Sequence, residues 1–190
     1  MAPSVDISAK HHEIEVWASL MLSDSDCVRV RDFFVSRFRL KARVVVPKMH
    51  ITVYHARRLL PGLAPLSEEV NLVIPSFETR FMVMAPGGEN PRPDLEPAKS
   101  KVGIRIHKQS PAIAKINTYR SRLLAYETKD ALGCRRPSGL KVSHMTLLKS
   151  RSGIQRDLTS VGSTFRETIG DLYFDRFEIR IAKSKFASNG

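Results

Sequence analysis

Two short segments of this chain read alike: Lys48-Met49-His50-Ile51-Thr52-Val53 and Val142-Ser143-His144-Met145-Thr146-Leu147. In each, a histidine stands two residues before a threonine, with aliphatic residues between and after. An imidazole near neutral pH both takes and gives a proton. A threonine hydroxyl donates a hydrogen bond to a phosphate oxygen. Side chains alternate faces along a strand, so His50 and Thr52 share one face while Ile51 and Val53 enter a core. His144 and Thr146 repeat the pattern with Met145 and Leu147 buried. Side by side, two such strands grip one phosphate from both sides and move two protons. The chain has six histidines; His11, His12, His55 and His107 lack the spacing. A short motif arises easily by chance, and the weight here comes from the matched duplicate in matched surroundings.

Those surroundings are a strand, a helix and a histidine strand, twice over. Ile14, Val16, Ala18 and Leu20 alternate with Glu15, Trp17 and Ser19, a strand over 13–22. Ser23-Asp24-Ser25-Asp26 supplies N-cap chemistry, and Cys27 to Leu40 carries apolar residues at helical spacing. Ala42 to Tyr54 is the first histidine strand, interrupted at Pro47, which favours an edge or a bulge. In the second half, Lys101 to Lys108 alternates as a strand. Ser110-Pro111 opens a helix, and Lys141 to Leu148 is the second histidine strand. Phe77 to Met84 and Tyr173 to Lys183 read as strands, the latter alternating only approximately. Gly153 to Gly170 fits one helix despite Gly162. Pro61, Gly62 and Pro65 break the stretch after the first motif, leaving at most a short helix around Ser67 to Leu72. Ala85 to Pro93 is dense in Pro and Gly and is expected as an exposed connection. The expectation is an α+β fold: a single domain, 1–190, of two pseudo-symmetric lobes (about 13–85 and 100–183) joined by residues 85–99.

A net charge of +12 suggests an anionic partner, with RNA, an oligonucleotide or a nucleotide the expected class. Basic residues crowd Arg29 to Arg43, Arg57-Arg58, Lys99-Lys101-Arg105, Arg135-Arg136 and Lys149-Arg151, two of these just downstream of the motifs. A membrane is not expected as partner: no basic amphipathic helix stands out, and no run of about 18 apolar residues occurs. Residues 1–10 do not read as a secretory signal. Cys27 and Cys134 have no paired spacing, so reduced thiols in a cytoplasmic protein are expected; the protein is expected to be a monomer.

With both motifs and their order in place, the chain resembles the 2H phosphoesterase superfamily, which includes RNA 2′-5′ ligase-like proteins and cyclic phosphodiesterases. His50-Ile51-Thr52-Val53 and His144-Met145-Thr146-Leu147 match its signature, two His-x-Thr/Ser motifs each followed by an aliphatic residue, over roughly residues 13–182. The resemblance implies a duplicated, two-lobed fold with antiparallel sheets lining a central cleft and helices outside. It also implies metal-independent action, with no cofactor, on 2′,3′-cyclic phosphates, 2′-5′ linkages or related phosphodiesters.

His50 and His144 are then the general base and general acid, in either order, and Thr52 and Thr146 donate to the non-bridging oxygens. Tyr54 keeps the groove-facing parity if the strand stays regular, and can stack on a base; His55 falls on the other face. Arg57, Lys149 and Arg151 are candidate phosphate contacts. No metal-ligand spacing accompanies His11-His12-Glu13, and no phosphate-binding Gly-x-x-x-x-Gly-Lys loop occurs. Two rival functions share the scaffold: a phosphodiesterase degrading cyclic nucleotide or cyclic oligonucleotide signals, and a non-catalytic RNA-binding module.

Overall fold

Alternating apolar side chains build seven strands that pair into one antiparallel sheet in a computed structural model, which describes residues 14–57, 60–84, 101–127, 143–149 and 158–183. The elements are β1 (Ile14–Leu22), α1 (Asp24–Asp32), β2 (His50–Ala56), β3 (Leu66–Ile74), β4 (Thr79–Met84), β5 (Lys101–Ile106), α2 (Pro111–Leu124), β6 (His144–Leu148), α3 (Leu158–Ile169) and β7 (Leu172–Lys183). Strand order across the sheet is β3-β7-β1-β2-β6-β5-β4. The chain is therefore α+β, with the two histidine strands adjacent at the middle. The stretches expected as lobes interleave in it: β4 pairs with β5, while β7 lies between β3 and β1. The expected connection over 85–99 lies outside the described residues.

One face of the sheet is apolar. Val16, Ala18, Leu20, Ile51, Val53, Ile104, Met145, Leu147, Phe174 and Phe177 are buried in a cluster shared with Val30 and Phe34, with Ile116 and Leu123 of α2, and with Val161 and Phe165 of α3. The helices thus cover this face, and the alternate positions, which carry both motifs, lie on the other. Phe33, Phe34, Phe81 and Phe165 form edge and stacked contacts with centroids 5.1–6.4 Å apart, tying α3 and β4 to the segment after α1. Gly162 makes that approach close, since a Cβ there would sit 3.3 Å from the Phe81 ring.

Local chemistry sets the helix ends. Ser23 Oγ accepts from the Asp26 amide at 3.3 Å, and Ser110 Oγ accepts from the Ala112 amide at 3.1 Å with Pro111 in the first turn; these are the expected caps. Arg29 Nη1 donates to the Ile169 carbonyl at 2.9 Å, placing a cation at the C-terminus of α3. Gly170 follows with φ 65°, the left-handed position a helix stop favours. Asp26, 4% exposed, accepts from Arg29 Nε at 2.9 Å and from the Tyr173 amide at 2.6 Å, fixing α1 to the start of β7.

Three expectations need correction. The helix expected over Cys27 to Leu40 stops as α-helix at Asp32 and widens into a π turn over Phe33–Arg37. That widening lets two successive phenylalanines, Phe33 and Phe34, both enter the core. Residues Ser67 to Leu72 are strand, not helix: they belong to β3, which pairs with β7 and is held to α2 by an ion pair of Glu68 with Arg122. Pro47 marks no edge or bulge inside a strand. It sits in the bend before β2, which begins at His50 and is a central strand.

Candidate active site

His50 and His144 are each the first residue of their strand. Ile51 pairs with Met145, and antiparallel neighbours run in opposite order. His50 therefore lies across from Thr146, and Thr52 across from His144. The two histidines are diagonal neighbours on one face, a relation that separates backbones by about 7–8 Å. All four side chains are half-buried, while Ile51, Val53, Met145 and Leu147 beneath them are at most 1% exposed. The floor is buried and the quartet reaches solvent.

The His50 imidazole is held below its ordinary pKa. Burial is the main cause; the charges of Arg180 and His144 act in the same direction, against the Lys48 carbonyl and Glu178. His50 Nδ1 lies 3.3 Å from the Lys48 carbonyl oxygen. A proton on Nδ1 donates to that carbonyl, which makes Nε2 the basic nitrogen of the neutral ring.

Arg180 and Glu178 come from β7, as does Arg176. Met21, opposite His50 on β1, is also opposite Arg176; Ser19, opposite Thr52, is also opposite Glu178. Arg176 Nε lies 2.8 Å from Glu178 Oε1, and Arg180 pairs with the other carboxylate oxygen. Sequence reasoning missed these residues. Their signal was the parity of β1, where Trp17, Ser19 and Met21 share a face. That β7 brings its charges to the same face follows only from the strand order.

A β-bulge corrects the expectations for Tyr54 and His55. Ala18 pairs with Tyr54 but Ser19 pairs with Thr52, so Val53 is the extra residue on β2. Parity reverses beyond it. Tyr54 turns into the core, 0% exposed, with its hydroxyl donating to Glu127 Oε1 at 2.8 Å; it offers no stacking surface to the groove. His55 turns to the site face, its ring stacked on Trp17 with centroids 3.7 Å apart. Trp17 Nε1 donates to Glu15 Oε2 at 3.2 Å. Burial, aided by Arg57 and opposed by Glu15, holds the His55 pKa below its ordinary value. Arg120 Nε of α2 donates to the Val53 carbonyl at 3.1 Å, pinning the bulge from the helix side.

The basic candidates separate. Arg57 follows the far end of β2, its Nε 3.7 Å from Glu15 Oε1. It is five residues from Thr52, about 16 Å along a strand, so it does not join the quartet. Lys149 closes β6, exposed, with its amide donating to the Val44 carbonyl at 2.8 Å. Arg151 lies outside the described residues. Among the described residues no group of three or more His, Cys, Asp or Glu is arranged to hold a metal ion, and no helix is long and apolar enough to cross a membrane. Comparison of the chain with protein-family models, curated proteins and solved structures returns no match.

Proposed function

We propose that this protein is a metal-independent phosphodiesterase of the 2H phosphoesterase type, acting on an RNA-type or nucleotide phosphodiester such as a 2′,3′-cyclic phosphate or a 2′-5′ linkage. The observation that carries the reading is the register of β2 on β6. It makes each motif's histidine oppose the other motif's threonine, so the quartet has approximate two-fold symmetry about one point above the sheet. The strand order supports a duplicated architecture. About the β2/β6 pair, β1 and β5 are equivalent, as are β7 and β4, and a helix connects strand to histidine strand in each half.

His50, with its lowered pKa, is neutral at neutral pH and serves as the general base through Nε2. His144 protonates the leaving oxygen. Thr52 and Thr146 donate to the non-bridging oxygens as charge builds in the transition state. In hydrolysis of a 2′,3′-cyclic phosphate, His50 takes a proton from water, the water oxygen bonds to phosphorus, and one P–O(ribose) bond breaks. The departing ribose oxygen takes its proton from His144. The test is a panel of 2′,3′-cyclic nucleotides, 2′-5′ and 3′-5′ dinucleotides and cyclic oligonucleotides assayed in excess chelator. Turnover of a 2′,3′-cyclic or 2′-5′ substrate supports the reading. Turnover confined to cyclic signalling nucleotides selects the first rival. Binding without turnover of any member selects the RNA-binding module.

A further inference from the structure

A row of site-face residues continues past His144 to the opposite edge of the sheet. His144 pairs with Arg105 on β5, and Arg105 pairs with Arg80 on β4. Their neighbours Ile104 and Phe81 belong to the helix-covered core side, so both guanidinium groups stand on the same face as the quartet. Like charges directly opposite on a sheet are destabilising. Yet no carboxylate among the described residues forms an ion pair with either arginine. The carboxylate of Glu78, the residue before β4, is already engaged by the Ser110 hydroxyl. The two arginines open into a pocket of about 310 Å³ lined by Arg80, Arg105, Ile106, His107, Lys108 and Gln109. Three basic side chains thus share one concavity with a histidine and an amide donor, an unbalanced arrangement that an anion would relieve.

We infer that this pocket is a second phosphate subsite, taking the phosphate next to the reacting one in an oligonucleotide; the word "next" rests on the quartet reading proposed above. Arginine forks match the paired oxygens of a phosphate, and the volume admits the attached sugar. Adjacent strands are about 4.8 Å apart, so Arg80 lies about 10 Å from His144 across the sheet. A single strand crossing β6, β5 and β4 brings its neighbouring phosphate over that span. A mononucleotide held at the quartet leaves the pocket empty. The protein therefore prefers a chain of nucleotides to a single one.

Calorimetric titration of a 3′-5′ trinucleotide and of the matching nucleoside monophosphate at fixed pH and salt tests this. It is done on protein carrying His50→Ala and His144→Ala, alone and with Arg80→Gln or Arg80→Gln plus Lys108→Gln. The expected result is that the background protein binds the trinucleotide more tightly. The trinucleotide-to-monophosphate affinity ratio falls at least fivefold with Arg80→Gln and further with the pair. The salt slope for the single-stranded trinucleotide also falls by about 0.7 per charge removed. A ratio that does not move, equal loss for both ligands, or no trinucleotide preference to begin with overturns the subsite. The two ideas fail separately. A falling ratio in a protein that turns over nothing in the substrate panel keeps the subsite and removes the enzyme; turnover with an unmoved ratio does the reverse.

Discussion

The surroundings of His50 give the site its pH dependence. Its pKa is lowered mainly by burial and further by Arg180, while Glu178 opposes them. If His50 is the base, the acid limb of log kcat/KM, which reports the free enzyme's base, lies below the ordinary imidazole value of about 6.5. Arg180→Gln removes a positive charge and moves that limb up; Glu178→Gln moves it down. Movement of both in one direction contradicts the assignment. The same group affects folding. A histidine protonated less readily when folded lets the unfolded chain bind more protons between its two pKa values. Its contribution is present above the unfolded value and is lost as pH falls through it toward the folded one. The histidines and threonines were legible in the sequence because local spacing determines which residues share a strand face. Arg180 and Glu178 were not, because β1 meets β7 only through pairing across some 160 residues of chain.

The bulge on β2 shows how one inserted residue redirects an element. Regular alternation put Tyr54 in the groove and His55 away from it; Val53, the extra residue, exchanges them. No local sequence signal marks it, since Val, Tyr and His all suit a regular strand. Its stabilisation comes from α2, where Arg120 reaches the Val53 carbonyl. Arg120→Met is expected to cost about 1–3 kcal/mol by leaving that carbonyl unpaired, measured by denaturant unfolding. Loosening the bulge should also lower kcat more than it raises KM, because His50 and Thr52 precede it on the same strand. Tyr54→Phe separates core from site. It should cost about 0.5–1.5 kcal/mol through the lost bond to Glu127 and leave kcat/KM within about twofold. A tenfold loss of activity with stability intact returns Tyr54 to the site. Other elements were legible where periodicity is local, as in α2 with its Ser110-Pro111 start. The strand at β3 was not, because Pro and Gly upstream obscure which period follows them.

At the scale of the whole molecule, one sheet carries a helix-covered apolar face and a polar face on which both motifs meet. Their order in the chain and their strand-helix-strand settings were legible, and these imply a paired arrangement. The insertion of β7 between β3 and β1 was not, since strand neighbours far apart in sequence leave no local mark. The central claim is that His50 and His144 act on one phosphodiester as a unit, each useless without the other. The direct measurement is a double-mutant cycle on turnover of the best substrate in excess chelator, using His50→Ala, His144→Ala and the double variant, each shown to be folded. Each single variant should lose about 10²–10⁴ in kcat. The double variant should lose little more than either, because groups serving one transition state are not additive. Losses that multiply in the double variant, or full activity in either single one, contradict the two-histidine mechanism.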